Sequence, residues 1–251
     1  MRRTEPAGIV YHTTESGQAP FEPRQTQALK NLGQSLLAYV QRKRAYHYLI
    51  DRFGRVFRVV AESDSAEHAG YSAWADRDWF YLNLNESFLG ISFEAHSRAD
   101  NTDEIVNPAQ IRSAAMLTEM LRNRYAIPAE DCVTHAQVSV NPSNMLAGYH
   151  TDWASGFPFA ALGLPDNYRQ PPTGLWAFGF ESDPAWLAAG KDGVALGAKI
   201  ALEDVKHAAA AARLRPAAYR KILRERYHAW LAAARHSGSR GDQPISGSAG
   251  L

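Results

Sequence analysis

Cysteine is almost missing. The single Cys132 excludes a disulfide within the chain and any cysteine-only zinc site. Long apolar runs are missing too, and none approaches the length that spans a bilayer. The opening residues, MRRTEPAGIVYH, carry two arginines but no apolar core segment, so no secretory signal is read there. Localisation stays open between the cytoplasm and export by a route not encoded in this stretch. An excess of one charge is also lacking: 27 Lys and Arg face 26 Asp and Glu, for a net charge of +1. A molecule so balanced is not an electrostatic nucleic-acid binder. There is no HExxH helix and no internal repeat.

What is present is ordinary in bulk. With 251 residues, 45% hydrophobic and 21% charged, the chain can build one good-sized core plus an extension. Apolar GIVY at residues 8–11 predicts a strand over 9–12 that ends on His12. Leu29, Leu32, Leu36, Leu37 and Val40 recur at helical spacing and predict a helix over 23–44. YHYLIDRFGRVFRVV reads as a hairpin around DRFG, and LGISFEAH alternates, with Leu89, Ile91 and Phe93 on one face and Ser92, Glu94 and His96 on the other. A helix with Pro108 near its start and Pro128 past its end follows, then a short last strand in DCVTHAQ. Strands interleaved with helices predict an α/β fold, a mixed central sheet flanked by helices.

After residue 164 the texture changes. A Pro, Gly and aromatic-rich linker leads to helices expected over 197–214 and 216–235, and a tail expected to be disordered. The division is therefore 1–164 for the main domain and 165–251 for the extension. Ten Lys and Arg against four Asp and Glu between residues 199 and 242 leave room for a basic docking face. Tyr219, Leu223, Tyr227 and Trp230, at helical spacing, instead call for an apolar surface to pack on, and that is the preferred expectation.

The chemistry-bearing residues are His12 at the end of the first strand, His135 at the end of the last, and Asp152 in GYHTDW. Two imidazoles and a carboxylate make a catalytic zinc set with one open position. Spacing alone does not single them out, because nine histidines allow many triples. His207, His228 and His236 read as surface residues of the extension.

The motifs IVYHTTES, YHYLIDRFGRVFRVV, EHAG, LGISFEAH and THAQ…GYHTDW…FPF occur in order over residues 8–163. Together they resemble the zinc-dependent N-acetylmuramoyl-L-alanine amidases of type 2, which share a fold with the peptidoglycan recognition proteins. The resemblance implies one Zn2+ on His12, His135 and Asp152, with peptidoglycan or a muropeptide as partner. It implies that Glu94 orients or deprotonates the attacking water, and that His150 steadies the oxyanion where relatives often carry Lys. His68 is implied either as a residue of the substrate groove or as a support of the metal ligands, and Tyr48 as a groove residue, with Tyr46 an alternative to Tyr48. The chain departs from the pattern in a longer run between His135 and Asp152, and in DWASG where DPG is usual. A receptor that binds peptidoglycan without cutting it is the competing expectation.

Overall fold

The computed structural model describes residues 5–97, 105–237 and 242–244. In chain order, β1 (Gly8–Thr13) leads to α1 (Thr26–Lys43), a hairpin of β2 (Tyr48–Ile50) and β3 (Val56–Arg58), and a second hairpin of β4 (Ala73–Ala75) and β5 (Trp79–Leu82). β6 (Phe88–Phe93) precedes α2 (Pro108–Tyr125), and β7 (Cys132–Thr134) runs into the single-turn helix α3 (His135–Val138). A third hairpin, β8 (Val140–Asn141) and β9 (Leu146–Ala147), is followed by α4 (Thr173–Phe178), β10 (Glu181–Ser182), α5 (Pro184–Ala211), α6 (Pro216–Ser237) and β11 (Gln243–Pro244).

The central sheet has the order β3-β2-β6-β1-β7, as the mixed α/β reading expects. β1 runs parallel to β6 and β7, and β3 is the antiparallel edge. Strand alternation divides β1 between two layers. Ile9 and Tyr11 join the core under α2, with Leu117 and Leu121, while Val10 packs on the opposite side against Trp74, Tyr81 and Val133. His12 therefore projects on the face away from α2, at the C-terminal edge of the sheet.

Local signals set the ends of these elements. The Asp51 carboxylate accepts the N–H groups of Phe53 and Arg55 at 2.9 and 2.8 Å, which closes the β2–β3 turn. Asn107 caps α2 in a capping box with Gln110, and Pro108 occupies its first turn. α1 forms where the apolar spacing predicts it. Of its stripe only Val40 is buried, and Leu32 stays 37% exposed.

The extension differs from expectation in its details. The segment read as linker contains α4 and β10, and the first long helix starts at Pro184 rather than 197, with Asp183 accepting the Ala185 N–H at 2.8 Å. Periodicity missed that start because the helix breaks at Lys191 (φ 54°, ψ −159°), between Gly190 and Gly193. Gln243–Pro244, within the tail expected to be disordered, pair with β5, and residues 245–251 lie outside the described residues. One apolar cluster joins Phe80 of β5 and Val140 of β8 to Phe178, Ala201 and Tyr227, so the extension shares a core with the first half of the chain.

Candidate metal centre

The three metal-binding candidates arrive from separate elements. His12 is held in β1, where it lies opposite Ser92 in β6. His135 does not end a strand. It opens α3, where Thr134 and Gln137 form a capping box that fixes the turn just after β7. Because β7 lies beside β1, the two imidazoles meet, with ring centroids 4.5 Å apart. Asp152 comes from the loop after the β8–β9 hairpin. Its neighbour Trp153, at φ 57°, is buried against Phe93 and Phe157 and anchors that loop to the core.

One ligand atom from each of His12, His135 and Asp152 lies within 4.8 Å of the others. Asp152 Oδ1 is 2.8 Å from His135 Nδ1, and Oδ2 is 3.3 Å from His12 Nδ1. Burial alone would raise the Asp152 carboxyl, but the two imidazoles hold it far below the usual carboxylate range. Burial, then the neighbouring His135, lowers His12 to about 4. An ionised carboxylate beside a neutral imidazole is the protonation state a divalent zinc ion requires of its ligands, so the donor set fits that ion. The remaining ring nitrogen of His135, Nε2, is buried without a partner among the described residues.

The other expected residues separate into those near the centre and those away from it. His150 is near: its ring stacks on His135 with centroids 4.4 Å apart and planes 19° apart. Burial, then His135, lowers its value, so it is a neutral imidazole at neutral pH. His68 is buried behind His12, with Nδ1 3.1 Å from His12 Nε2, so it supports the centre from within instead of lining a groove.

Among the described residues, neither Glu94 nor Tyr48 bonds to the three candidate ligands. Glu94 sits one residue past β6 and accepts the Arg52 N–H at 3.1 Å, and its electrostatic neighbours are Asp51, Arg52 and Arg55. No contact joins it to the three candidate ligands among the described residues. The alternation that puts Glu94 on the His12 face is as expected, but the β2–β3 turn captures its carboxylate. Tyr48 falls on the α2 face, one position out of phase with Leu49, which shares the His12 row through Ser92. Its hydroxyl bonds to Glu62.

Two residues at the centre received less weight in the sequence. Tyr46 places its ring 5.2 Å from that of His12. Burial, then the Asp152 charge, pushes its hydroxyl up to about 12, so it remains a donor. Ser92 is the strand residue facing His12. Its signal was the alternation of LGISFEAH, in which it shares a face with Glu94 but lies nearer the ligand. Trp74 and Trp153 are buried in the core.

The extra residues between His135 and Asp152 form the β8–β9 hairpin, and β10 of the extension pairs with β9. The insertion is thus the point where the extension joins the ligand loop.

Known proteins resemble this chain in sequence and in fold. The sequence model of the N-acetylmuramoyl-L-alanine amidase family (Amidase_2) matches residues 2–152. AmiD of Escherichia coli (strain K12), an N-acetylmuramoyl-L-alanine amidase, is 28% identical over 116 residues, covering 42% of this chain and 41% of AmiD. The match thus spans less than half of that relative. The crystal structure of AmpDh3 from Pseudomonas aeruginosa in complex with anhydromuramic pentapeptide is similar in fold, with TM-score 0.53 and 21% identity, covering 78% of this chain and 84% of that one.

Proposed function

Since the chain belongs to the N-acetylmuramoyl-L-alanine amidase family, we propose that it is a zinc-dependent hydrolase of the amide between N-acetylmuramic acid and the L-alanine of the stem peptide. The observation that carries this reading is the convergence of His12, His135 and Asp152 donor atoms within 4.8 Å. His12, His135 and Asp152 would hold a zinc ion, which would supply Lewis acidity to polarise the amide carbonyl and to lower the pKa of a water.

The remaining chemistry falls to residues around that trio. His150, neutral and stacked on His135, takes the proton released by the attacking water and returns it to the departing amine of L-alanine. The Tyr46 hydroxyl stays protonated and donates to the oxygen that gains negative charge. Glu94 is not assigned the proton, because among the described residues its Oε2 accepts the Arg52 N–H and no contact joins it to the trio. The similar AmpDh3 was crystallised with an anhydromuramic pentapeptide, which supports a muropeptide as the substrate class here.

A second reading, a receptor that binds peptidoglycan without cutting it, is favoured by one observation: beside Asp152, no carboxylate contacts the trio among the described residues. Mass spectrometry of products from soluble muropeptides and from sacculi separates the two. Stem peptides with a free L-alanine amine, abolished by chelator, support the amidase. Binding of muropeptide without such products supports the receptor.

A further inference from the structure

Trp186 of α5 is 1% exposed and forms a small apolar cluster with Ala136, Ala154 and Val194. Two members of that cluster are adjacent to the metal trio in sequence: Ala136 follows His135, and Ala154 is two residues past Asp152. A third contact lies between them. Gly148 adopts φ +82°, and a Cβ added there would meet Trp186 Cγ at 2.3 Å, so the indole lies directly on the backbone four residues before Asp152. Trp186 therefore shares a cluster with the residues just after each ligand, Ala136 and Ala154, and lies against the connecting segment at Gly148, near its end.

Hydrogen bonds make this support rigid. Asp183, the residue capping α5, donates its N–H to Ala147 O at 2.8 Å, and Glu181 N–H donates to Met145 O at 2.9 Å. On the other side, Gly148 N–H donates to Ser139 O at 2.8 Å and His150 N–H to Ser139 Oγ at 3.0 Å. His12 is fixed differently, by its place inside the central sheet. Asp152 has no strand to hold it. Its carbonyl accepts one long bond from Ala136 N–H, at 3.3 Å, so packing on both sides of the loop positions it, Trp153 on the core side and Trp186 of α5 on the other. The Trp186 indole N–H has no partner among the described residues, which leaves volume as the contribution of this side chain.

We propose that Trp186 is a positioning residue of the metal centre: through Ala136, Gly148 and Ala154 it fixes the His135 and Asp152 donors relative to each other, so that the C-terminal extension sets metal affinity. This rests on the reading that the trio holds zinc. It gives the extension a role at the site that does not require wall contact.

The test is zinc affinity of the full chain, by competition with a chromophoric chelator, together with the absorption spectrum of the Co2+ form. Trp186→Ala weakens zinc binding by about tenfold or more and alters the Co2+ spectrum, the size expected of residues supporting metal ligands. Trp186→Phe, which keeps a ring in the same space, restores most of the affinity. Gly148→Ala, which presses on the indole from the other side, weakens binding with Trp186 intact and carries the test should Trp186→Ala not fold. Leu223→Ala, in the buried face of α6, lowers the melting temperature but leaves zinc affinity unchanged. Wild-type affinity and spectrum in folded Trp186→Ala, or in Gly148→Ala, overturns the proposal, as does an equal loss of affinity in Leu223→Ala. Failure of the wild-type chain to bind zinc at all overturns the metal reading itself and this inference with it.

Discussion

His12 Nε2 lies 3.1 Å from His68 Nδ1, and the other ring nitrogen of His68 lies 3.2 Å from the carbonyl oxygen of Phe88. A carbonyl only accepts, so His68 carries its proton on Nε2. Burial keeps that ring neutral, so its Nδ1 accepts a hydrogen bond from His12 Nε2–H. The Nδ1 of His12 is then unprotonated and faces Asp152, which is the tautomer a metal needs. Gly90 makes room for this relay, because a Cβ there would meet the His68 ring at 2.6 Å. His68→Leu should weaken zinc binding by about 10- to 100-fold, and His68→Asn, which keeps an acceptor near the Nδ1 position, should recover part of it. Chelator competition reads both, and equal affinity in all three proteins would contradict the relay.

His150 is expected to act on the reaction more than on the metal. His150→Ala should lower kcat by about 10²- to 10⁴-fold, the range for loss of a general acid–base group. Zinc content should remain at the wild-type level. Loss of zinc in proportion to activity would make His150 a ligand instead.

Glu94→Gln tests the opposite case. Gln keeps an acceptor for the Arg52 N–H and removes a charge that burial disfavours. Turnover of a muropeptide should stay within about threefold of wild type, well short of the 10²-fold or greater loss that a proton-transfer role demands. A loss of that size would restore Glu94 to the mechanism.

His47 makes stability depend on pH. It accepts the Gly90 N–H at Nδ1 (2.9 Å) and donates from Nε2 to Asp64 O (3.0 Å), and burial lowers its value below the ordinary 6.5. A histidine held neutral contributes stability that is complete above the unfolded value, roughly 6.5, and lost as pH falls toward the lower folded value. Urea midpoints measured between pH 7.5 and 5 in chelator should fall less steeply for His47→Gln than for wild type. Parallel curves would contradict the assignment.

Tyr227 ties α6 to the shared core, with its ring 4.8 Å from that of Phe180 and 5.5 Å from that of Phe178. Tyr227→Ala should cost about 3–5 kcal/mol, as large aromatic truncations in cores do. Chemical denaturation should still show one transition if both halves unfold together. Separate transitions would mean that the extension folds by itself.

Much of this was legible in the sequence, for reasons that can be named. Apolar alternation gives β6, an apolar run gives β1, and Pro108 near its start and Pro128 past its end give α2, because these signals act within a few residues. His12 and His135 could be placed as strand-end residues, although His135 turned out to open a helix once Thr134 capped it. Sequence gives only the face of a strand: it puts Glu94 on the His12 face, while for Tyr48 a one-residue phase difference sends the ring to the other layer. The bond that the Glu94 carboxylate accepts from a turn 42 positions away is not legible in that alternation. The contact of Trp186 with Gly148 joins segments with no shared period, so only the folded chain reveals it.

The account depends above all on one ion bound by His12, His135 and Asp152. Elemental analysis of chain equilibrated with zinc and then desalted tests this most directly. One zinc per chain is expected for wild type and essentially none for His12→Ala and Asp152→Ala, with both variants still folded. Zinc retained in full by either variant, or none taken up by the wild-type chain, would contradict it.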